Sequence, residues 1–197
     1  MKRLGLGAGI LAVLLFAFHV HADTPLGTVQ VNVNKVLEVL RDPALKAETA
    51  KKVKKEKLRA IYEQMFDEIE LAKRTLARNW NALDQPQRRE FVHLFRQVLE
   101  KAYIDKILSY TNEKVVFDKE TVLAENQAEV QTRIVTASKE IPISYRVIKK
   151  DGTWKVYDVI IEGVSLVQNY RTQFSEILAK NSPEELLEIL RKKVKES

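Results

Sequence analysis

The segment that most limits the fold runs Trp154-Lys-Val-Tyr-Asp-Val-Ile-Ile-Glu162. A strict two-residue alternation puts Trp154, Val156 and Ile160 on one face of a strand and Tyr157, Val159 and Ile161 on the other. A strand apolar on both faces needs cover on both sides, so a thin, half-solvated sheet is excluded for this part of the chain. Lys150-Asp151-Gly152 just before it carries the Asp-Gly pair of a tight hairpin, and Gly163 just after it breaks the strand.

The same two-residue period begins at Lys114. Ala128, Val130, Thr132, Ile134 and Thr136 share one strand face, and Ile141, Ile143, Tyr145 and Val147 share another. On either side of this block the period is helical. Thr24-Pro25 reads as an N-cap followed by proline at the first helical position, and Leu26, Val29, Val33, Val36, Leu37 and Leu40 then form a stripe. After Asp42-Pro43 a Lys-rich segment from Lys46 to Arg59 leads into Leu58, Ile61, Tyr62, Met65, Phe66 and Ile69, again at helical spacing. Asp84-Gln85-Pro86-Gln87 is a capping box opening a helix to about Tyr110, with Phe91, Phe95, Val98, Leu99, Ala102 and Tyr103 as its buried face and Thr111-Asn112 as its end. Val164, Val167, Tyr170, Phe174, Ile177 and Leu178 form the next stripe, and Ser182-Pro183 caps a last helix through Leu186, Leu187, Leu190 and Val194. Helices, then antiparallel strands, then helices is an α+β order, with helices laid over one face of a curved sheet of the nuclear-transport-factor-like kind.

Met1-Lys2-Arg3 precedes an uncharged run from Leu4 to Phe18, and Val20-His21-Ala22 supplies the small residues of a cleavage site. That is the pattern of an export signal, too short for the roughly 20 residues of a membrane-spanning helix. The reading divides the chain into a leader at 1–22 and one domain at 23–197, periplasmic once exported. The formal net charge is +6, of which Lys2 and Arg3 contribute two, so a moderate excess remains that suits acidic surfaces. Export argues against nucleic acid as a partner. With no cysteine there is no disulfide, no thiolate nucleophile and no thiolate metal site, and no other pattern for a metal or cofactor stands out, so none is expected.

The block from Trp154 to Phe174, in which strand, glycine break and helix follow without a gap, resembles the signature of the MlaC (toluene-tolerance) family. Ala77-Arg78-Asn79-Trp80, Gln87-Arg88-Arg89-Glu90-Phe91 and Leu94-Phe95 are similar to that family's central helices, and Tyr110 to Phe117 to its entry into the sheet. Asn79 departs from the small residue expected there, which touches only a local turn. The resemblance implies a periplasmic phospholipid carrier that maintains outer-membrane lipid asymmetry. Its implied partners are an outer-membrane lipoprotein complex and an inner-membrane ABC transporter complex. It implies an apolar lipid cavity between sheet and helices, and the expected lining is Tyr103, Phe117, Val130, Ile143, Tyr145, Tyr157, Val159, Ile161, Val164 and Val167.

Other readings stand beside this one. The apolar residues after Gly163 fit a packed core as well as a pocket wall, and Ser165 and Asn169 serve equally as groups near a lipid ester or as caps of the strand-to-helix turn. Lys51, Lys52, Lys54, Lys55 and Lys57 form either a solvated face or a docking face for anionic surfaces. His93 lies opposite Phe91 and Phe95 on the helical wheel and suggests no role. A secreted enzyme using a carboxylate base would draw on Asp158 and Glu162, yet four residues along a strand separate them by ~13 Å, beyond the ~5–9.5 Å of paired glycosidase carboxylates. No phosphate loop, HExxH or G-x-S-x-G occurs. The chain is therefore expected not to be an enzyme, with a secreted pocketed enzyme using a carboxylate base or a ligand-free periplasmic adaptor as the alternatives.

Overall fold

The structure is a computed structural model and describes residues 24–110 and 113–196. The export signal, its cleavage near Ala22 and the helix end at Thr111-Asn112 lie outside the described residues. The elements are α1 (Pro25–Arg41), α2 (Lys51–Met65), α3 (Glu68–Leu76), α4 (Gln85–Leu108), β1 (Lys114–Ala124), β2 (Gln127–Val135), β3 (Glu140–Lys150), β4 (Thr153–Ile161), β5 (Val164–Ser165), α5 (Leu166–Leu178) and α6 (Pro183–Lys195). Short 3-10 turns cover Pro43–Leu45, Glu48–Ala50 and Ala77–Ala82. The five strands form one antiparallel sheet in the order β1-β2-β3-β4-β5, so the α+β expectation holds.

The helix starts follow from their caps. The Thr24 hydroxyl accepts from Gly27 N, and both Asp84–Gln87 and Ser182–Glu185 close reciprocal capping boxes with proline in the first turn. The Lys-rich stretch does not run on as one helix through Ile69. Phe66 is extended and makes an isolated parallel bridge to Val156, and Asp67 then caps α3 by accepting from Glu70 N. This break leaves Ile69 60% exposed. In α4 the helix ends at Leu108, Leu94 joins the buried face and Ala102 is exposed. Thr136 lies past the end of β2, where its hydroxyl closes the turn by accepting from Lys139 N.

Two cores result. In the first, α1 lays Val29, Val33 and Leu37 across the sheet onto Ala128, Val130, Val147, Val156 and Val159, with Met65 of α2 alongside. The second is built from helices and the turn before α4: Leu71, Leu76, Leu83, Phe91, Phe95, Tyr170, Phe174, Leu186, Leu187 and Leu190 are buried together. Phe95 meets Tyr170 and Phe174 edge-on, with ring centroids 5.0 and 5.4 Å apart. Phe66, at the break between α2 and α3, packs against both cores.

The strand-face assignment for β4 needs correction. Arg146 pairs with Asp158 and Val147 with Val156, so Tyr157 is the extra residue of a β-bulge. The bulge resets the alternation: Trp154, Val156, Val159 and Ile161 all face the α1 side. β4 is thus apolar on the α1 face, while its other face sets Asp158 among Tyr157 and Ile160. Gly163 does more than end the strand. Glu162 (φ 49°) and Gly163 (φ 84°) form a two-residue turn, like Asp151 (φ 49°) and Gly152 (φ 77°), and fold Val164-Ser165 back as β5.

Candidate functional site

The sheet face under α1 is covered unevenly. Near the middle, Ala128, Val130 and Val147 are fully buried. Toward the end where Lys114 pairs with Val135 and Ile143 with Ile161, the cover thins. Val115, Phe117, Ile134, Ile141, Ile143, Tyr145, Ile161 and Leu166 are there only half-buried. The chain leaving α4 brings Tyr110 onto the same cluster. α4 itself ends in half-buried Ile104 and Leu108 and a 40% exposed Ile107.

A polar pair is set into this apolar floor. Thr132 is 2% exposed, and its hydroxyl donates to the Ile143 carbonyl at 2.9 Å. Burial pushes the Tyr145 phenol up to about 12, with the Thr132 side chain nearby partly offsetting the shift.

The expected lining residues do not all meet. Val130 and Val159 are buried in the sheet core, with Phe117, Ile143, Tyr145 and Ile161 half-buried against it. Val167 and Tyr103 belong instead to the helical core. Tyr157, turned by the bulge, faces the opposite side of the sheet, with the Arg74 guanidinium 3.9 Å from its ring centroid. Val164 is 56% exposed in β5 rather than part of the α5 stripe. Val115, Tyr110 and Leu166 were not anticipated, although Val115 shares the face of Phe117 by simple alternation.

The polar candidates resolve into structural contacts. Asp158 is 1% exposed, accepting from the Ser165 hydroxyl at 2.6 Å and from Val167 N at 3.0 Å, with Arg146 3.6 Å away. Ser165 also accepts from Gln168 N, so it caps α5. Asn169 is exposed and accepts from the Gln173 amide. Glu162 sits exposed in the β4–β5 turn, 3.9 Å from Lys139. His93 is exposed and bonds to Gln97 at 2.9 Å. On α2, Lys51 pairs with Glu48 at 3.0 Å and Lys57 approaches Asp42 at 4.0 Å, leaving Lys52, Lys54 and Lys55 without an acidic partner among the described residues. Among the described residues no group of His, Cys, Asp and Glu is placed to hold a metal ion, and no helix is long and apolar enough to cross a membrane.

Residues 30–192 match the profile of the MlaC protein family. The chain is similar to the intermembrane phospholipid transport system binding protein MlaC of Haemophilus influenzae, at 27% identity over 119 residues, 58% of this chain and 56% of that protein. It is also similar to the toluene tolerance protein ttg2D of Pseudomonas putida, at 24% identity over 87% of this chain and 82% of that one. The match thus spans little more than half of the first relative's length. In three dimensions the chain superposes on the phospholipid-binding protein of Ralstonia solanacearum, solved in complex with a phospholipid. The TM-score is 0.77 at 23% identity, covering 85% of this chain and 94% of that one.

Proposed function

This chain belongs to the MlaC protein family, and from that membership we propose that it is a periplasmic phospholipid carrier serving outer-membrane lipid asymmetry. The observation that carries the reading is the thinly covered apolar end of the sheet, where Phe117, Ile143, Tyr145 and Ile161 are half-buried rather than sealed. The phospholipid bound by the Ralstonia solanacearum protein of the same fold supports it. In this reading residues 1–22 are an export leader cleaved near Ala22, and 23–197 form one phospholipid-binding domain.

The need for such a carrier follows from solvation. Two acyl chains with roughly 30 methylenes would cost upward of ~20 kcal/mol to expose to water, at ~0.8 kcal/mol per methylene. An apolar pocket replaces the bilayer interior, so transfer between membrane and protein is nearly balanced and direction comes from the partners. Those partners are an inner-membrane ABC transporter complex and an outer-membrane lipoprotein complex. The chain's own residues bury and release acyl chains, a task that needs no general base or nucleophile.

The lining of the acyl-chain site is proposed as Phe117, Val130, Ile143, Tyr145, Val159 and Ile161 on the sheet. Tyr103 and Val167 join only if the α4 and α5 ends part from the sheet, Val164 only if the exposed β5 borders the acyl chains, and Tyr157 only if its strand turns over. Phospholipid extracted from the purified protein and identified by mass spectrometry, near one molecule per chain, is the expected result. Protein recovered from lipid-rich cells with none bound would reject the carrier in favour of an adaptor.

A further inference from the structure

On the face of the sheet away from α1 lies a cleft of about 200 Å³. Two β-bulges contribute to it. Leu123 is the extra residue in β1 and Tyr157 the extra residue in β4, and both line the cleft. Bulges redirect side chains and gather beside functional sites. Leu123 is 49% exposed, so near the tip of the β1–β2 hairpin it holds bare apolar surface at the rim.

Three guanidiniums from three elements reach the same cleft: Arg74 of α3, Arg146 of β3 and Arg171 of α5. Arg74 pairs with Glu70 at 2.8 Å, and Arg146 donates to Glu129 at 3.1 Å. Arg171 has no carboxylate partner among the described residues. It donates to the Arg74 carbonyl at 2.7 and 2.9 Å, and Nη1 reaches Gln168 at 3.4 Å. A guanidinium carries five N–H donors in a fork suited to carboxylates, so these contacts leave donors unused.

The dimensions and charges narrow the occupant. Pockets for small molecules run from ~300 Å³ upward, so this cleft suits a single side chain and not a pair of acyl chains. Glu70, Glu129 and Asp158 offset much of the arginine charge, so no broad positive field exists to hold a membrane. What remains is a local, directional demand for one carboxylate beside an apolar patch.

We propose that this cleft docks a segment of a partner protein in which an acidic side chain lies next to an apolar one. The carboxylate pairs with Arg171 and Arg146, and the apolar side chain covers Leu123. The site lies on the sheet face opposite the lipid-binding face and goes beyond the carrier reading.

The experiment is selection of displayed random twelve-residue peptides on the purified chain, followed by affinity measurement on the chain, on Leu123→Asp and on Arg171→Gln. Leu123 is exposed, so its variant folds normally, whereas glutamine at 171 keeps a donor for the Arg74 carbonyl. The expected outcome is selected peptides pairing Asp or Glu with Leu, Ile or Phe, bound at least about tenfold more weakly by either variant, with co-purified phospholipid unchanged. Several outcomes overturn the proposal: no peptide selected, peptides lacking an acidic residue, or equal binding to the variants. Complete competition by inorganic phosphate would make the cleft a plain anion site. Competition by phosphatidylglycerol vesicles would make it a headgroup site, and loss of lipid from Leu123→Asp would make it part of the cargo site.

Discussion

Val164 and Val167 are three residues apart, yet glutamate at the two positions meets opposite conditions. Val167 is 5% exposed in the helical core, where an unpaired carboxylate costs several kcal/mol. Val167→Glu is expected to lower the urea midpoint sharply or to leave no folded protein. Val164 is 56% exposed, so Val164→Glu is expected to melt within ~0.5 kcal/mol of the parent, and its effect on bound lipid reads directly whether β5 borders the acyl chains. Equal destabilisation of the two would contradict the separation seen between β5 and α5. Asp158 makes the same argument for a polar residue. Its carboxylate ties β4 to the start of α5 through Ser165 and Val167 N, and its removal strands a buried amide and part of the Arg146 charge. Asp158→Ala is expected to cost ~2–4 kcal/mol by urea unfolding at unchanged m-value. A near-neutral result would mean that this carboxylate is held for some purpose other than the fold.

At the scale of elements, the β4–β5 turn can be tested by itself. Gly163 has φ 84° with nothing within 4 Å of the place a Cβ would occupy, so Gly163→Ala meets backbone strain and no clash. A loss of ~1–2 kcal/mol by chemical denaturation is expected, and no loss would mean that the turn relaxes to another form. The basic helix α2 gives a second test. Changing Lys51, Lys52, Lys54 and Lys55 to Gln is expected to flatten the salt dependence of lipid transfer to anionic vesicles while leaving co-purified lipid unchanged. Attraction over a Debye length of ~8 Å governs encounter, not retention. An unchanged salt slope would make α2 a solvated face. How far such elements could be read beforehand depended on whether their signals are local. The capping box at Asp84, the Ser182-Pro183 cap, the Asp151-Gly152 turn and the switch of period at Lys114 are local, and each stands where it was expected. The bulge at Tyr157 is not local. It exists because Val147 pairs with Val156, and a strict alternation therefore assigned Val159 and Ile161 to the wrong side relative to Trp154 and Val156. The break at Phe66 had a local sign that went unused: Asp67 stands three residues before Glu70, as an N-cap would. The placement of the proposed lining followed the same rule: alternation put Ile143 and Tyr145 on one strand face, where they stand, whereas the side of the sheet taken by Tyr157 and the core joined by Tyr103 depend on long-range packing.

For the whole molecule, the two cores predict unequal dependence on cargo. The helical core around Phe91, Phe95, Phe174 and Leu187 is closed by side chains alone, while the sheet core is thin over Phe117, Ile143 and Ile161. In the proposed carrier reading, a phospholipid seated on that thin end would bind the folded state and not the unfolded chain, so it would stabilise by mass action, ~2.7 kcal/mol at a hundredfold excess over Kd. Stripping the lipid with organic solvent or detergent and refolding is therefore expected to lower Tm. Hydrogen exchange should rise in β1, β3 and the β4–β5 turn while α4 and α6 stay protected. The double variant Phe117→Ser, Ile143→Ser should reproduce that pattern without any stripping. It removes apolar area from half-buried positions, so the domain still melts cooperatively, but it carries several-fold less phospholipid and gains little Tm when lipid is added back. Were the variant to retain lipid as the parent does, the acyl chains would have to lie elsewhere, and the parting of the α4 and α5 ends around Tyr103 and Val167 would become the leading site. Were stripping to loosen α4 and α6 as much as β1 and β3, lipid binding would be coupled to both cores through Phe66, a half-buried aromatic that packs against each.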